Sequence, residues 1–277
     1  MRRGCRNSFC SGKLASHSGG VSRRDSIYHQ RRRGEYQREC EWRDFVGLTA
    51  TLNTFVFKIL ARPELKKPEQ LKGKKVGISR LGGASDFSIR YALTHWGLVP
   101  DKDVAIIQVG GEPEEVMALQ NKAVDAVILS EPFATVATRA GASVLADLSQ
   151  LGVPYTMHGF GARKSFIQAN RDVVIRFMKA YLEGIYVFKT KKNVALNVLK
   201  KYTRLDDLSL VQVAYDEMSQ RLIRRVPYPD REGIQTIIDQ LAKTRPQMKN
   251  LNPADFIDPS ILKEIDDSGF VKKLYGN

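Results

Sequence analysis

Strand, turn and helix alternate three times in the middle of the chain, and this alternation limits the fold more than any other feature. Three of the four predicted strands are each followed by a turn with glycine or proline and then by the start of a predicted helix. The strands are predicted at residues 74–79, 104–109, 124–129 and 143–146, and the helices begin at residues 84, 112 and 130. Because helices that connect strands in this way favour parallel pairing, the pattern predicts an α/β fold with a parallel, helix-covered sheet.

The pattern becomes mainly helical after Tyr155. One more strand is predicted over residues 157–162. An apolar stripe at three- and four-residue spacing then predicts a long helix over residues 173–188. Three further helices are predicted at residues 193–202, 208–222 and 231–242. These stripes are typical of a packed core and contain no cofactor motif.

The first 43 residues differ from the rest in charge and in pattern. The whole chain of 277 residues carries 44 Lys and Arg against 30 Asp and Glu, a net charge of +14. Residues 1–43 hold 11 of those cations and 4 of the acids, so 11 − 4 = +7 lies in this short part. It shows no helical or strand periodicity and no apolar stretch of the kind an export signal has. We therefore predict a disordered or non-native basic tail and no specific nucleic-acid partner, since arginines alone give only salt-sensitive attraction.

The three cysteines all lie in this first part, at positions 5, 10 and 40. The remaining chain therefore has no disulfide framework and no cysteine nucleophile. The Cys and His spacings of the first part do not match a tight zinc site. We predict no metal and no cofactor.

The turn from Ser79 to Ser85 carries the strongest functional signal. It follows a predicted strand and opens a predicted helix, so backbone N–H groups and the positive end of the helix dipole meet there. Ser79 and Ser85 add hydroxyl groups, while Gly82 and Gly83 allow a ligand to approach the backbone. Gly83-Ala84 stands where a nucleotide P-loop has Lys-Ser or Lys-Thr, so that motif is excluded. The alternative is an ordinary glycine turn in which Ser85 or Asp86 caps the helix.

Two further strand-to-helix turns would lie at the same edge of the sheet. They contain Gly110-Gly111 and Ser130-Glu131. Glu131 is interpreted either as a ligand contact or as an acid that stabilises the start of the following helix. Catalytic residue types are scarce after residue 43, where His95 and His158 are the two histidines and no catalytic serine or metal motif occurs. This scarcity favours a binding protein with no catalytic residues over an enzyme.

Several short motifs resemble one family. They are Ala61-Arg62-Pro63-Glu64, the run Leu71-Lys72-Gly73-Lys74-Lys75-Val76-Gly77, Val124-Asp125-Ala126, Arg225-Val226-Pro227-Tyr228-Pro229 and Asp258-Pro259-Ser260. With these motifs, residues 45–276 resemble the solute-binding proteins of ABC importers for nitrate, sulfonate, taurine and thiamine-precursor pyrimidines.

The resemblance implies a two-lobed, periplasmic-binding-protein-like fold of type II. Residues 44–73 and 155–277 would form a partial first lobe with C-terminal helices, and residues 74–154 the second lobe. The solute would lie in the cleft, which closes by a hinge. The implied ligand-binding residues are Thr49, Ser79, Gly82, Gly83, Ala84, Ser85, Ser130 and Glu131. The implied partners are a small-molecule solute and the permease and ATPase of the importer, with a monomeric, periplasmic or extracytoplasmic binding protein.

One departure from the family pattern leads to a further hypothesis. Family members have a strand–helix–strand–helix block before the region that corresponds to Gly47-Leu48-Thr49, and residues 1–43 do not show that pattern. We interpret the chain as N-terminally truncated or mis-started, with an incomplete first lobe that exposes apolar surface.

Two alternatives share the same architecture. Thiamine-pyrimidine synthases resemble it but use a cysteine-rich motif, which residues 44–277 lack. The effector-sensing half of a transcription regulator also resembles it, but would need an N-terminal helix-turn-helix, which residues 1–43 do not predict.

Overall fold

A five-stranded mixed sheet forms the centre of the structure. The computed structural model describes residues 44–276. The strand order is β5-β4-β6-β3-β7, where β3 is Lys58–Ala61, β4 Lys75–Ile78, β5 Ala105–Gln108, β6 Ala126–Leu129 and β7 Ser143–Asp147. Strand β4 pairs in parallel with both β5 and β6, whereas β3 runs antiparallel to β6 and β7. The carboxyl ends of β4, β5 and β6 therefore meet at one edge.

Each parallel strand leads into a helix, as the alternation predicts. Helix α1 spans Ala84–His95, α2 spans Glu112–Gln120 and α3 spans Phe133–Arg139. Buried residues of the sheet and helices form two apolar clusters. One includes Ile78 and Ile89, and the other includes Leu60 and Val127. We call this part, from β3 to β7 with α1–α3, the sheet lobe.

The main sheet includes one strand from before the predicted lobe boundary at residues 73 and 74. Strand β3 precedes that boundary but lies in the sheet between β6 and β7, with Ile59 opposite Ile128 and Ala146. The run Lys58–Ala61 is too short to show an alternating pattern, and its last three residues are buried. The sheet is consequently mixed, whereas the sequence predicted a parallel one.

The second part of the structure is mainly helical. Helices α4 (Lys164–Ala169), α5 (Arg171–Thr190), α6 (Lys192–Thr203) and α7 (Leu208–Asp216) follow one another, and α9 (Ser260–Asp267) and α10 (Phe270–Tyr275) end the described chain. The core around α5 includes Val174, Met178 and Leu182, all from the predicted stripe. We call these helices, together with the short strands Phe45–Gly47 and Gly161–Arg163, the helical lobe. Within residues 44–276, no helix combines the length and apolar character needed to cross a membrane.

Two short antiparallel pairs lie outside the main sheet. Strand β1 (Phe45–Gly47) pairs with β9 (Gly161–Arg163), and β2 (Leu52–Thr54) pairs with β8 (Pro154–His158). The single strand predicted over residues 157–162 is thus two strands. The break falls at Gly159, where an added Cβ atom would lie 1.9 Å from the Thr49 carbonyl oxygen.

The β2–β8 pair connects to the sheet lobe through stacked aromatic rings. The Phe55 and Tyr155 ring centroids are 4.6 Å apart, and those of Phe87 and Tyr155 are 4.8 Å apart. Burial raises the pKa of Tyr155 to about 12. Helix α8 (Arg231–Ala242), at its predicted bounds, packs along β8. The predicted basic tail of residues 1–43 lies outside the described residues.

The helix predicted over residues 208–222 changes its geometry near its middle. After α7 ends at Asp216, residues Glu217–Leu222 form a π-helix. Wider helical turns leave backbone carbonyl groups without their usual partners. Here Lys189 of α5 donates hydrogen bonds to the carbonyl oxygens of Ser219 and Ile223, the latter at 2.7 Å. This contact holds the π-helix in place.

Some large apolar side chains of the helical lobe remain exposed. They are Phe45, Phe160, Phe166, Val173 and Phe177. Phe160 makes edge-to-face contacts with Phe177 and Tyr181, at centroid distances of 5.0 and 4.7 Å. Val173 and Phe177, both in the predicted stripe of α5, therefore do not belong to its buried side.

Glu115 of α2 is a buried carboxyl group beneath the sheet. It accepts a hydrogen bond from the Ile128 backbone N–H at 3.3 Å, and its other oxygen has no hydrogen-bond partner. Burial raises the pKa of Glu115 to about 9, and the nearby charge of Glu112 adds to the increase. Glu115 is accordingly protonated in the folded protein at neutral pH, whereas it ionises near pH 4.5 in an unfolded chain.

We predict that Glu115 makes stability depend on pH. Because the folded-state pKa is raised, stability is fully present below the unfolded pKa and falls as pH rises toward 9, by roughly 1.4 kcal/mol per pH unit. The variant Glu115→Gln cannot ionise and should lose this dependence. Urea unfolding measures the free energy of unfolding at pH 5 and pH 8. Between these two values, the native chain should lose about 3–4 kcal/mol more than the variant does.

The exposed neighbour Glu114 provides the control for this measurement. Glu114→Gln on the same helix should keep the native pH dependence, because the Glu114 side chain is exposed and Glu115 is left intact. Identical pH profiles for the two variants would contradict a buried, protonated Glu115.

Candidate functional site

The candidate site lies where the parallel strands of the sheet lobe end. Ser79 follows β4 and Ser130 follows β6, and these strands are neighbours. Strand β3 runs in the opposite direction, so Lys58 at its start lies at the same edge, in register with Leu129 and Asp147. Ligands of open α/β sheets commonly bind beyond this edge.

The turn from Ser79 to Ser85 is held in shape by its own hydrogen bonds. The Ser79 and Ser85 hydroxyl oxygens are 2.7 Å apart, and the Ser79 N–H donates to the Ser85 hydroxyl at 3.3 Å. The Leu81 N–H donates to the Gln108 side chain at 3.1 Å, and the Gly82 N–H donates to the Asp86 carboxylate at 2.8 Å. The turn is thus fixed in position without a ligand contact.

The same turn is open to solvent at its tip. Leu81 is 54% exposed and Gly82 is exposed, whereas Ser85 is buried. Gly82 has φ +74°, which is why a glycine suits this position. Gly83 immediately precedes α1, and no described side chain caps that end of the helix. The predicted residues Gly82, Gly83 and Ala84 therefore present backbone, while Ser79 and Ser85 support it from behind.

A cavity extends from this turn along the outer side of α1. Its volume is about 550 Å³. Gly82, Gly83 and Phe87 line it on one side, and Leu241 and Thr244 at the end of α8 line it on the other. A small solute would fit this space.

Ser130 and Glu131 are already engaged within the protein. The Ser130 N–H and hydroxyl donate to the Glu112 carboxylate at 3.1 and 2.7 Å. Glu131 accepts hydrogen bonds from the N–H and hydroxyl of Thr135 at 3.1 and 2.7 Å, in the first turn of α3. Its other oxygen lies 2.5 Å from the Lys58 Nζ. Glu131 thus stabilises the helix start, one of its two predicted roles, and also forms a buried ion pair.

Thr49 lies elsewhere, between β1 and β2. It is buried, and its hydroxyl oxygen accepts a hydrogen bond from the Phe160 N–H at 2.7 Å. The Thr49 N–H donates to the Phe160 carbonyl at 3.1 Å. In this structure Thr49 holds the β8–β9 connection. The ligand contact predicted for Thr49 stays a prediction.

Sequence reasoning missed two charged residues at the edge, Lys58 and Glu217. The Lys58 Nζ lies 3.7 Å from a Glu217 oxygen as well as 2.5 Å from Glu131, and Arg221 approaches the same Glu217 oxygen at 3.6 Å. Lys58 precedes a three-residue apolar run, and Glu217 begins the π-helix, whose geometry depends on a contact from α5. Neither position carries a local signal.

Burial and charge change the titration of this group. Burial raises the pKa of Glu217, and the charge of Lys58 opposes that increase. Burial alone would lower the pKa of Lys58, but its hydrogen bond to Glu131 and the surrounding carboxylates raise it. The charge of Lys58 therefore limits the rise in the pKa of Glu217 that burial causes.

Comparison with known proteins identifies relatives and the fold. Residues 59–199, about half of the chain, match the NMT1-like family. YtlA of Bacillus subtilis (strain 168), which is designated a binding protein, is 30% identical over 142 residues. That alignment covers 50% of this chain but only 41% of YtlA, so the chain matches about two fifths of this relative's length.

Solved structures of binding proteins have the same fold. A ligand-binding component of an ABC-type import system from Staphylococcus aureus has a TM-score of 0.64 at 12% identity, covering 83% of this chain and 76% of that one. The periplasmic aliphatic sulphonate-binding protein of Escherichia coli has a TM-score of 0.60 at 18% identity, covering 78% and 69%. These likenesses confirm the two-lobed, periplasmic-binding-protein-like fold.

An enzyme also has this fold. The desulfurization enzyme DszB has a TM-score of 0.57 at 14% identity, covering 81% of this chain and 80% of that one. The fold by itself therefore does not distinguish binding from catalysis.

We predict that Lys58 is required for stability. Lys58→Met would leave Glu131 and Glu217 as buried carboxylates without their shared cation, and breaking such a pair costs about 3–5 kcal/mol. Urea unfolding at pH 7 measures this loss. Adding Glu131→Gln to Lys58→Met should restore part of it, because one of the two charges is then removed.

An exposed ion pair gives the control. Arg176 and Asp172 on α5 are 3.2 Å apart and 71% and 72% exposed. Arg176→Met should cost under about 1 kcal/mol, because solvent screens such pairs. A Lys58→Met loss no larger than this would contradict a buried charge network.

Proposed function

Because the chain belongs to the NMT1-like family, we propose that it is the solute-binding component of an ABC importer. In this role it captures a small solute between the sheet lobe and the helical lobe and releases it unchanged to the permease and ATPase. It would act outside the cytoplasmic membrane. The designation of YtlA as a binding protein and the titles of the structurally similar proteins support this proposal.

The observation that carries the proposal is the open glycine turn at the start of α1. Its backbone is held in shape by Ser85, Gln108 and Asp86 yet is exposed at Leu81 and Gly82. An uncapped helix start offers N–H donors to an acceptor group on a ligand. Sulfonates, nitrate and pyrimidines all carry such acceptors, and all remain candidate solutes.

Binding without reaction agrees with the chemistry of the edge. Ser130 donates to Glu112, and Glu131 is occupied by Lys58 and Thr135. Groups engaged in this way position the backbone and are poorly placed to act as nucleophile or base. The cysteine that a thiamine-pyrimidine synthase would need does not occur in residues 44–277. We therefore propose a role in binding and no enzymatic step.

Two glycines at opposite ends of α1 allow a matched test. Gly82 and Gly97 both have φ +74°, and an added Cβ atom would meet nothing within 4 Å at either position. Gly82→Ala and Gly97→Ala should each destabilise the protein by about 1–2 kcal/mol, because both place alanine in the left-handed region. Only Gly82 lies on the proposed site, so only Gly82→Ala should weaken ligand binding.

Thermal unfolding of the full chain with taurine, ethanesulfonate, nitrate or an aminopyrimidine measures the effect. At a hundredfold excess over Kd, the bound solute should raise Tm by about 5–10 °C in the native chain and in Gly97→Ala. The shift should be lost or much reduced in Gly82→Ala. The proposal is wrong if no compound in the panel binds, or if both glycine variants bind equally well.

A further inference from the structure

Helix α5 carries a second apolar stripe, on the side that faces solvent. Val173, Phe177 and Val187 are 43%, 48% and 37% exposed, and Ala180 and Gly184 between them are exposed as well. These five positions follow one another at spacings of four, three, four and three residues, so they lie on one side of the helix. The opposite side of α5 already packs in the core of the helical lobe. We call the five residues the outer stripe.

Gly184 of the outer stripe has no packing role within its own chain. An added Cβ atom would meet nothing within 4 Å, and the residue does not have a positive φ. It lies inside a helix of 20 residues, where glycine is less favourable than alanine. A glycine on a helix surface lets a large side chain of another molecule approach the backbone closely.

The outer stripe is complementary to a reversed copy of itself. When two α5 helices lie antiparallel about a two-fold axis at Ala180, each Val173 lies opposite Val187 of the second copy. Phe177 then faces Gly184 of the second copy, so the largest side chain of the stripe meets the position without one. Two-fold interfaces need this self-complementarity, because the same surface serves both subunits.

The charges beside the outer stripe fit the same arrangement. Arg176 and Glu183 are both exposed, and they lie on one side of the helix because they are two turns apart. Their spacing of about 10 Å along the axis prevents a pair within one helix. The reversed copy places each Arg176 beside Glu183 of the second copy. Solvent screens such edge pairs, so they add little affinity and mainly fix the orientation.

An aromatic contact holds the stripe's largest side chain in place. The Phe160 ring packs edge-to-face on Phe177 and Tyr181, with centroid distances of 5.0 and 4.7 Å. Phe160 is itself 43% exposed, so it widens the apolar surface without covering Phe177. A side chain that is already ordered loses little freedom when it binds.

We propose that the outer stripe is the contact surface of a two-fold symmetric dimer of this chain, with the two α5 helices antiparallel. This dimer differs from the monomer that the family resemblance implies, and it does not depend on the identity of the solute. The stripe is about 21 Å long, at 1.5 Å per residue. An interface of this length is at the small end for specific contacts, so we expect dissociation in the micromolar range.

Sedimentation velocity of the full chain tests the dimer over a concentration range from about 1 to about 200 μM, which brackets a small interface. A reducing agent keeps the three cysteines of residues 1–43 from linking two copies. A species of twice 31.2 kDa should form as the concentration rises. A chain that stays monomeric over the whole range would overturn the proposal, and some other partner or none would then cover the stripe.

Two substitutions to glutamate assign the contact to the outer stripe. Gly184→Glu fills the space that Phe177 of the second copy would occupy, and should weaken dimerisation at least about tenfold. Asn197→Glu, at an exposed position on α6, makes the same change of charge outside the stripe and should leave dimerisation unchanged. Glutamate suits a helix interior, so both variants should keep the native circular dichroism. Dimerisation of Gly184→Glu at the native strength would overturn the assignment.

An exchange of charges tests the antiparallel arrangement independently. Arg176→Glu and Glu183→Arg should each weaken the dimer, because like charges then meet at both ends of the interface. The double variant Arg176→Glu/Glu183→Arg should restore it. Because the two residues are too far apart to pair within one helix, restoration reports a contact between copies. A double variant as weak as the single ones would overturn the antiparallel pairing.

Discussion

Backbone pairing of β3 with β6 and β7 determines where the charged groups of the site lie. Because β3 runs against its neighbours, it begins at the edge where β6 and β7 end, and Lys58 therefore lies among the carboxylates of that edge. In a sheet whose strands all ran parallel, the same lysine would lie at the opposite edge. The ion pair with Glu131 follows directly from this direction of the chain.

Burial gives that ion pair its importance. Few charged groups stay ionised away from water without a partner, and Lys58 serves both Glu131 and Glu217. Glu131 follows β6 of the main sheet and Glu217 begins the π-helix, so the lysine links the sheet to the π-helix. The glycine turn at α1 depends on different forces, namely backbone hydrogen bonds to Asp86 and Gln108. The edge thus combines a polar backbone surface with a charged cluster.

Much of the fold could be predicted from local sequence, because the signals there are local. Helix α1 ends at His95, one residue before the end that Gly97 predicts, and α8 has its predicted bounds. The glycine turn was also predicted, since the need for positive φ at Gly82 is a property of that residue itself. The site residues remain proposals; Ser79 and Ser130 among them follow two strands that are neighbours in the sheet.

The features that the sequence did not predict depend on distant contacts. The antiparallel direction of β3 comes from pairing with strands far along the chain. The π-helix that begins at Glu217 depends on a contact from Lys189 in another helix. The local sequence therefore predicts an ordinary helix throughout residues 208–222. The hydrogen bond from the Phe160 N–H to the Thr49 hydroxyl also joins residues that are far apart in the chain.

The close approach of Gly159 to Thr49 restricts how this chain can vary through evolution. An added methyl group would overlap the Thr49 carbonyl oxygen, so every alternative amino acid is selected against whatever solute the protein serves. Gly82 has free space around it, so a side chain would fit there. Selection for glycine at this position would then come from its positive φ and from the need to bind a solute. A lineage that lost its solute would keep glycine at 159 and drift at 82, and such drift would mark the loss of binding.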